Sequence, residues 1–134
     1  EISLNLGKVH FQTGDIDMAL SYLDSAVSAD KTLLSGFYWQ GLVRMKKGMF
    51  HSALESFDGI VDIVEVTPDT SFQRGLCYRK LGNNEEALEV FKYAVETYSD
   101  PHKVHYQLAL TYDALGKSHD ANRHYALSRE TKSQ

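Results

Sequence analysis

Six histidines are the side chains of this sequence best able to hold a metal or move a proton. His102 and His105 lie three residues apart, a spacing that puts two ligands on one helix face, and His119 and His124 follow on the next helical segment. No Asp, Glu or Cys stands at a spacing that completes a recognisable ligand set, so these read as surface histidines and no metal is expected. His10 is different, because it occupies a place where a packed aromatic ring is expected. Cys77 is the only cysteine. A nucleophilic thiol needs a base and an electropositive neighbourhood, which Arg79 and Lys80 supply weakly, so it reads as a small buried hydrophobe. The glycines form no cluster ahead of a lysine that could cradle a phosphate. Glu85 and Glu86 open a helix, where carboxylates favour the positive end of the dipole. No catalytic residue and no cofactor is expected.

The elements that carry these side chains follow from composition and period. The chain has 134 residues, 43% hydrophobic and 24% charged, with a net charge of −4. That acidic balance opposes a dedicated nucleic-acid surface, which needs a concentrated basic field. No apolar run approaches the roughly 18 residues of a membrane span, so membrane insertion is not expected. A lone cysteine excludes a disulfide-stapled scaffold and fits a cytoplasmic protein, although a bacterial envelope location is also compatible with it.

Shifting the sequence against itself by 34 residues aligns Gly7, Gly41, Gly75 and Ala109. The same shift aligns Gly14, Gly48, Gly82 and Gly116, then Ala19, Ala53, Ala87 and Ala121, then Leu23, Phe57, Phe91 and Tyr125. Four copies of one repeat are therefore expected, at about 1–33, 34–67, 68–101 and 102–134, as a single array. Within a copy, two stretches of 3.6-residue period flank a glycine that ends the first helix. Asn83 with Glu86 predicts a capping box, and Thr67-Pro68 and Asp100-Pro101 predict helix starts. The small residues allow close backbone approach, with the bulky series filling the space beside it. The segment Gly59 to Val64 reads alone as a strand, but the repeat register predicts helix there, with altered packing.

This pattern resembles the tetratricopeptide repeat over essentially the whole chain. The first-helix signature appears as Leu108, Ala109 and Tyr112, and partly as Gly75 and Tyr78; the second-helix signature appears as Ala87, Phe91 and Ala94. His10 and Arg44 stand where a tyrosine is usual, Gln40 and Arg74 where a leucine is usual, and Ile60 replaces a small residue. The resemblance implies an all-α fold, a right-handed α-solenoid of four helix-turn-helix hairpins. Glu1 falls inside the first helix by register, so the chain is expected to continue before residue 1. Asn122 and Arg129 replace the Leu20 and Val27 series in the last copy, which predicts a water-facing end.

The resemblance further implies that first helices line a concave groove. Its lining would be Leu4, Lys8, Phe11 and Gln12, then Tyr38, Leu42, Met45 and Lys46, then Phe72, Leu76, Arg79 and Lys80, then Tyr106, Leu110 and Asp113. The row Leu4, Tyr38, Phe72 and Tyr106 reads as a surface that the hairpin itself does not need; the row Leu42, Leu76 and Leu110 reads equally as filling between helices. The expected function is a non-catalytic protein–protein interaction scaffold or adaptor that holds a partner peptide or amphipathic helix by apolar anchors. The family's clamp for the acidic C-terminal tail of Hsp70 and Hsp90 chaperones is disfavoured, because Trp39, Leu42, Asp69 and Gln73 occupy much of the surface where its groups would lie, with Lys8 the only match. Two alternatives are a self-assembling homo-oligomeric scaffold and the substrate-selecting arm of a larger enzyme.

Overall fold

Four times along the chain, a helix ends at a glycine that no other residue type could replace without strain. Gly14, Gly48, Gly82 and Gly116 have φ between 77° and 89°, the left-handed region that an L side chain resists. Each lets the next residue's N–H reach back to a carbonyl of the last turn: Asp15 to His10, Met49 to Arg44, Asn83 to Tyr78 and Lys117 to Tyr112, all at 2.8–2.9 Å. This is a Schellman closure, at the glycines expected to end the first helices.

The computed structural model describes residues 2–61 and 67–130. Among them all regular structure is helical: α1 (Ile2–Gln12), α2 (Ile16–Ala29), α3 (Leu34–Lys46), α4 (Phe50–Val61), α5 (Pro68–Lys80), α6 (Asn84–Thr97), α7 (Pro101–Ala114) and α8 (Ser118–Ser128). Consecutive pairs form hairpins, and the chain divides into two compact units, Glu1–Val66 and Thr67–Gln134. In the N-terminal unit α2 packs on α3; in the C-terminal unit α6 packs on α7. Gly59 to Val61 complete α4, as the repeat register predicts, with Ile60 buried; positions 62–64, like Glu1, lie outside the described residues.

The bulky series does more than fill space beside a backbone contact. A Cβ on Gly41 would lie 2.5 Å from the Phe57 ring, one on Gly75 2.5 Å from Phe91, and one on Gly7 2.6 Å from Leu23. The large side chain of the second helix therefore sits directly on the glycine of the first. Leu23, Phe57 and Phe91 are fully buried there, each removing apolar surface worth about 1.5–3 kcal/mol.

The two predicted proline-led starts are present. Thr67 Oγ1 accepts from Thr70 N–H at 3.2 Å, and Asp100 Oδ1 accepts from Lys103 N–H at 3.5 Å. The predicted capping box is not. The Asn83 side chain makes no cap bond, and its own N–H, which Glu86 would have to engage, is already donated to Tyr78. One residue serves as the end of α5 and the start of α6, and the Schellman closure takes the donor.

Candidate partner-binding surface

In the C-terminal unit the first helices α5 and α7 lie side by side, and Arg79 Nε donates to Gln107 Oε1 across them at 2.9 Å. Beside this bond is a cleft of about 600 Å³, lined by Phe72 and Leu76 of α5, Asp100 and the first two turns of α7 (His102, Lys103, Tyr106, Gln107), and Ser128 of α8. Tyr106 is 48% exposed, a large amphipathic ring held by a rigid helix. Of the residues expected in a groove, Phe72, Leu76 and Tyr106 meet here. Arg79 is half-buried in its bond to Gln107, Leu110 is half-buried, and Lys80 and Asp113 are exposed. Asp113 accepts from the Tyr125 hydroxyl at 2.8 Å.

In the N-terminal unit α1 and α3 bring Phe11 and Trp39 edge to face, centroids 5.7 Å apart, with Lys8 Nζ 5.7 Å from the Trp39 ring centre. Both contacts are of the kind that orders an aromatic surface while leaving a cationic edge in water. Leu42 and Met45 are half-buried, and Lys46 is exposed.

The row Leu4, Tyr38, Phe72 and Tyr106 is not spare surface, contrary to the sequence reading. Tyr38 packs on Phe57 at 5.9 Å, Phe72 on Phe91 at 5.9 Å, and Tyr106 on Tyr125 at 6.0 Å; Leu4 lies in one core cluster with Leu23. Every pair is the same register across its own hairpin. Leu4 and Phe72 are buried, and Phe72 also stacks on Tyr98 at 4.7 Å. Helical period places these residues on one face of the first helix; that face is shared between hairpin core and open surface, and only Tyr106 of the row is exposed.

Trp39, Asp100, His102, Lys103, Gln107 and Ser128 were outside the expected lining. Trp39 is one residue beyond the Tyr38 row; the proline-led start at Pro101 is the signal beside Asp100, His102 and Lys103, and no sequence signal marks Gln107 or Ser128.

The histidines divide. His10 stacks on Tyr22, centroids 5.4 Å apart, as a substitute for a packed tyrosine. His119 is exposed, whereas His124 is 7% exposed and not a surface residue. No group of three or more His, Cys, Asp or Glu among the described residues is arranged to hold a metal ion. Cys77 is fully buried, and burial pushes its thiol up to about 12; it packs as a small hydrophobe. No helix among the described residues is long and apolar enough to cross a membrane.

Two tetratricopeptide-repeat family models match the chain, at residues 1–33 and 69–101. No curated protein matches its sequence. Among solved structures, MamA from Desulfovibrio magneticus RS-1, residues 41 to the end, superposes with a TM-score of 0.88 at 19% identity, covering 94% of this chain and 71% of that one. A MamA structure from MSR-1 gives 0.85 at 22% identity, over 95% and 73%, and another MamA crystal structure 0.86 at 20% identity, over 95% and 69%. At such identities the likeness is one of fold, and the fold is the all-α repeat architecture expected from the 34-residue register. The glycine-closed hairpins, the small-on-large contacts and the matched repeats together make this chain a tetratricopeptide-repeat protein.

Proposed function

We propose that the chain is a non-catalytic protein-interaction module whose first helices hold a segment of a partner protein, an extended peptide or amphipathic helix with apolar anchors. The observation that carries this reading is the cleft of the C-terminal unit, where exposed Tyr106 and half-buried Leu76 sit beside Lys103 and His102. A rigid aromatic ring in a recess with polar groups at its rim is the usual composition of an interaction hot spot. The patch of Lys8, Phe11 and Trp39 offers the N-terminal unit's counterpart.

Charge sorting supports an orientation for the partner. First helices α1, α3 and α5 carry more basic than acidic residues (Lys8; Arg44, Lys46; Asp69 with Arg74, Arg79, Lys80), and second helices α2, α4 and α6 the reverse (Asp17, Asp24; Glu55, Asp58; Glu85, Glu86, Glu89, Glu96 with Lys92). In the C-terminal unit Lys80 and Lys103, and in the N-terminal unit Lys8 and Lys46, then meet acidic groups flanking the anchor that each unit holds.

The test is selection of peptides from a random library on the full chain, followed by anisotropy measurements on variants. Tyr106→Ala with Leu76→Ala is expected to weaken selected peptides at least about tenfold, the loss of a single hot spot, with helical circular dichroism retained. Phe72→Ala is unsuitable, because its packing on Phe91 and its stacking on Tyr98 belong to the core. Peptides that bind both proteins equally would overturn the reading.

A further inference from the structure

Two histidine rings of the C-terminal unit are built into a hairpin. His105 of α7 and His124 of α8 stack with centroids 5.1 Å apart, and their Nδ1 atoms approach to 2.9 Å. That distance is a hydrogen bond only when one Nδ1 carries a hydrogen and the other presents its lone pair. Two fully protonated rings would turn N–H against N–H. Tyr112 also stacks on His124, at 5.4 Å and 15°.

Charged neighbours of both signs act on the pair. His102 of α7 and Arg123 of α8 oppose its protonation, while Asp120 and Glu130 favour it; Arg123 is itself 3.5 Å from Asp120. α6, which also packs on α7, keeps its Glu89, Lys92 and Glu96 exposed to solvent. Burial outweighs these charges and holds both rings below the usual histidine value, His124 at about 4.

We propose that the His105–His124 pair is a proton-operated latch holding α8 on α7, closed near neutrality and released in acid. A folded-state value below the unfolded one means that protons bind the opened form better. The latch therefore contributes fully above the unfolded histidine value near 6.5, and its contribution is lost as pH falls from there towards the folded value. Ser128 of α8 lines the cleft described above, so release removes one of its walls; this last consequence rests on the proposed function, and the latch does not.

The experiment is amide hydrogen exchange on the full chain between pH 7 and 4.5, read as protection factors, beside the variant His105→Ser/His124→Val. Those replacements are the Ser71 and Val90 found at the same repeat positions of the α5/α6 hairpin. Protection in α8 is expected to fall at least about tenfold relative to α6 in the parent, and this fall is expected to be absent from the variant. An equal decline in both would overturn the latch. Nitrogen-15 titration of the parent's histidines gives a second reading should the variant fail to fold: at least one ring titrates well below 6.5, and two ordinary titrations would exclude the latch. No peptide is used, so failure here leaves the interaction reading standing, and failure there leaves the latch.

Discussion

The first and last hairpins fill one internal slot with the same two residue types in opposite order. In the N-terminal unit His10 of the first helix stacks on Tyr22 of the second, at 5.4 Å and 11°; in the C-terminal unit Tyr112 of the first stacks on His124 of the second, at 5.4 Å and 15°. The packing is nearly identical and the electrostatics are not. His10 has a side chain 28% exposed with the Asp15 carboxylate 3.7 Å away, whereas His124 is 7% exposed and faces a second imidazole. In the second hairpin the slot is polar: Arg44 Nη1 donates to Ser56 Oγ at 2.8 Å and to the Ser52 carbonyl at 3.0 Å. Repeat geometry specifies where the slot lies, and leaves the chemistry that fills it free to diverge.

The strongest test of a shared geometry is to remove the ring that both units place on a glycine. Phe57→Ala and Phe91→Ala each empty a fully buried site, and each is expected to cost about 3–5 kcal/mol in urea unfolding. The comparison would break if one unit tolerated the change and the other did not, since a Cβ on Gly41 and one on Gly75 would each lie 2.5 Å from the nearest ring atom.

A smaller effect should separate the units. Gln40 bridges Asp24 Oδ1 at 2.7 Å and the Ser56 hydroxyl at 2.8 Å, while the equivalent position in the last hairpin is Leu108, buried in an apolar cluster. Gln40→Leu is expected to cost about 1–3 kcal/mol, because the buried Ser56 hydroxyl loses its acceptor. Changing Arg44→Tyr and Ser56→Val together with it should recover most of that loss, because the buried members of the network are then removed together and Asp24, its side chain half exposed, is left to water. A triple variant as unstable as the single one would show that the polar slot is required by something other than its own hydrogen bonds.

These contrasts also mark what was legible in the residues alone. The 34-residue register located each glycine closure and each small-on-large contact, because both depend on local backbone and on residue size. It did not separate rim from core on the first helices. A helical period says which residues share a face; it does not say that Phe72 would be covered by Tyr98 while Tyr106, one repeat on, would stay half open. Nor did the spacing of His102, His105, His119 and His124 show that two of them meet, since His105 and His124 are joined by the hairpin and not by either helix alone. The cleft was missed at its N-terminal edge for a similar reason: by residue type and spacing His102 reads as a ligand or a surface histidine and Asp100 as a cap, and neither reading contains the angle between α5 and α7.

The smallest expected difference concerns the helix starts of the C-terminal unit. Thr67, Asn83 and Asp100 are all good N-cap residue types, and by residue type alone Asn83→Ala should cost as much as Thr67→Ala. The structure separates them. Thr67 Oγ1 accepts from Thr70 N–H, so its loss is expected to cost about 1 kcal/mol. The Asn83 side chain makes no such bond, because the residue is spent on closing α5 through its own N–H to Tyr78, which alanine retains. Asn83→Ala should therefore fall within about 0.5 kcal/mol of the parent, as a surface substitution does. Equal losses at the two positions would mean that in solution Asn83 turns its amide onto α6, and that the tight α5–α6 joint has enough freedom to satisfy both helices at once.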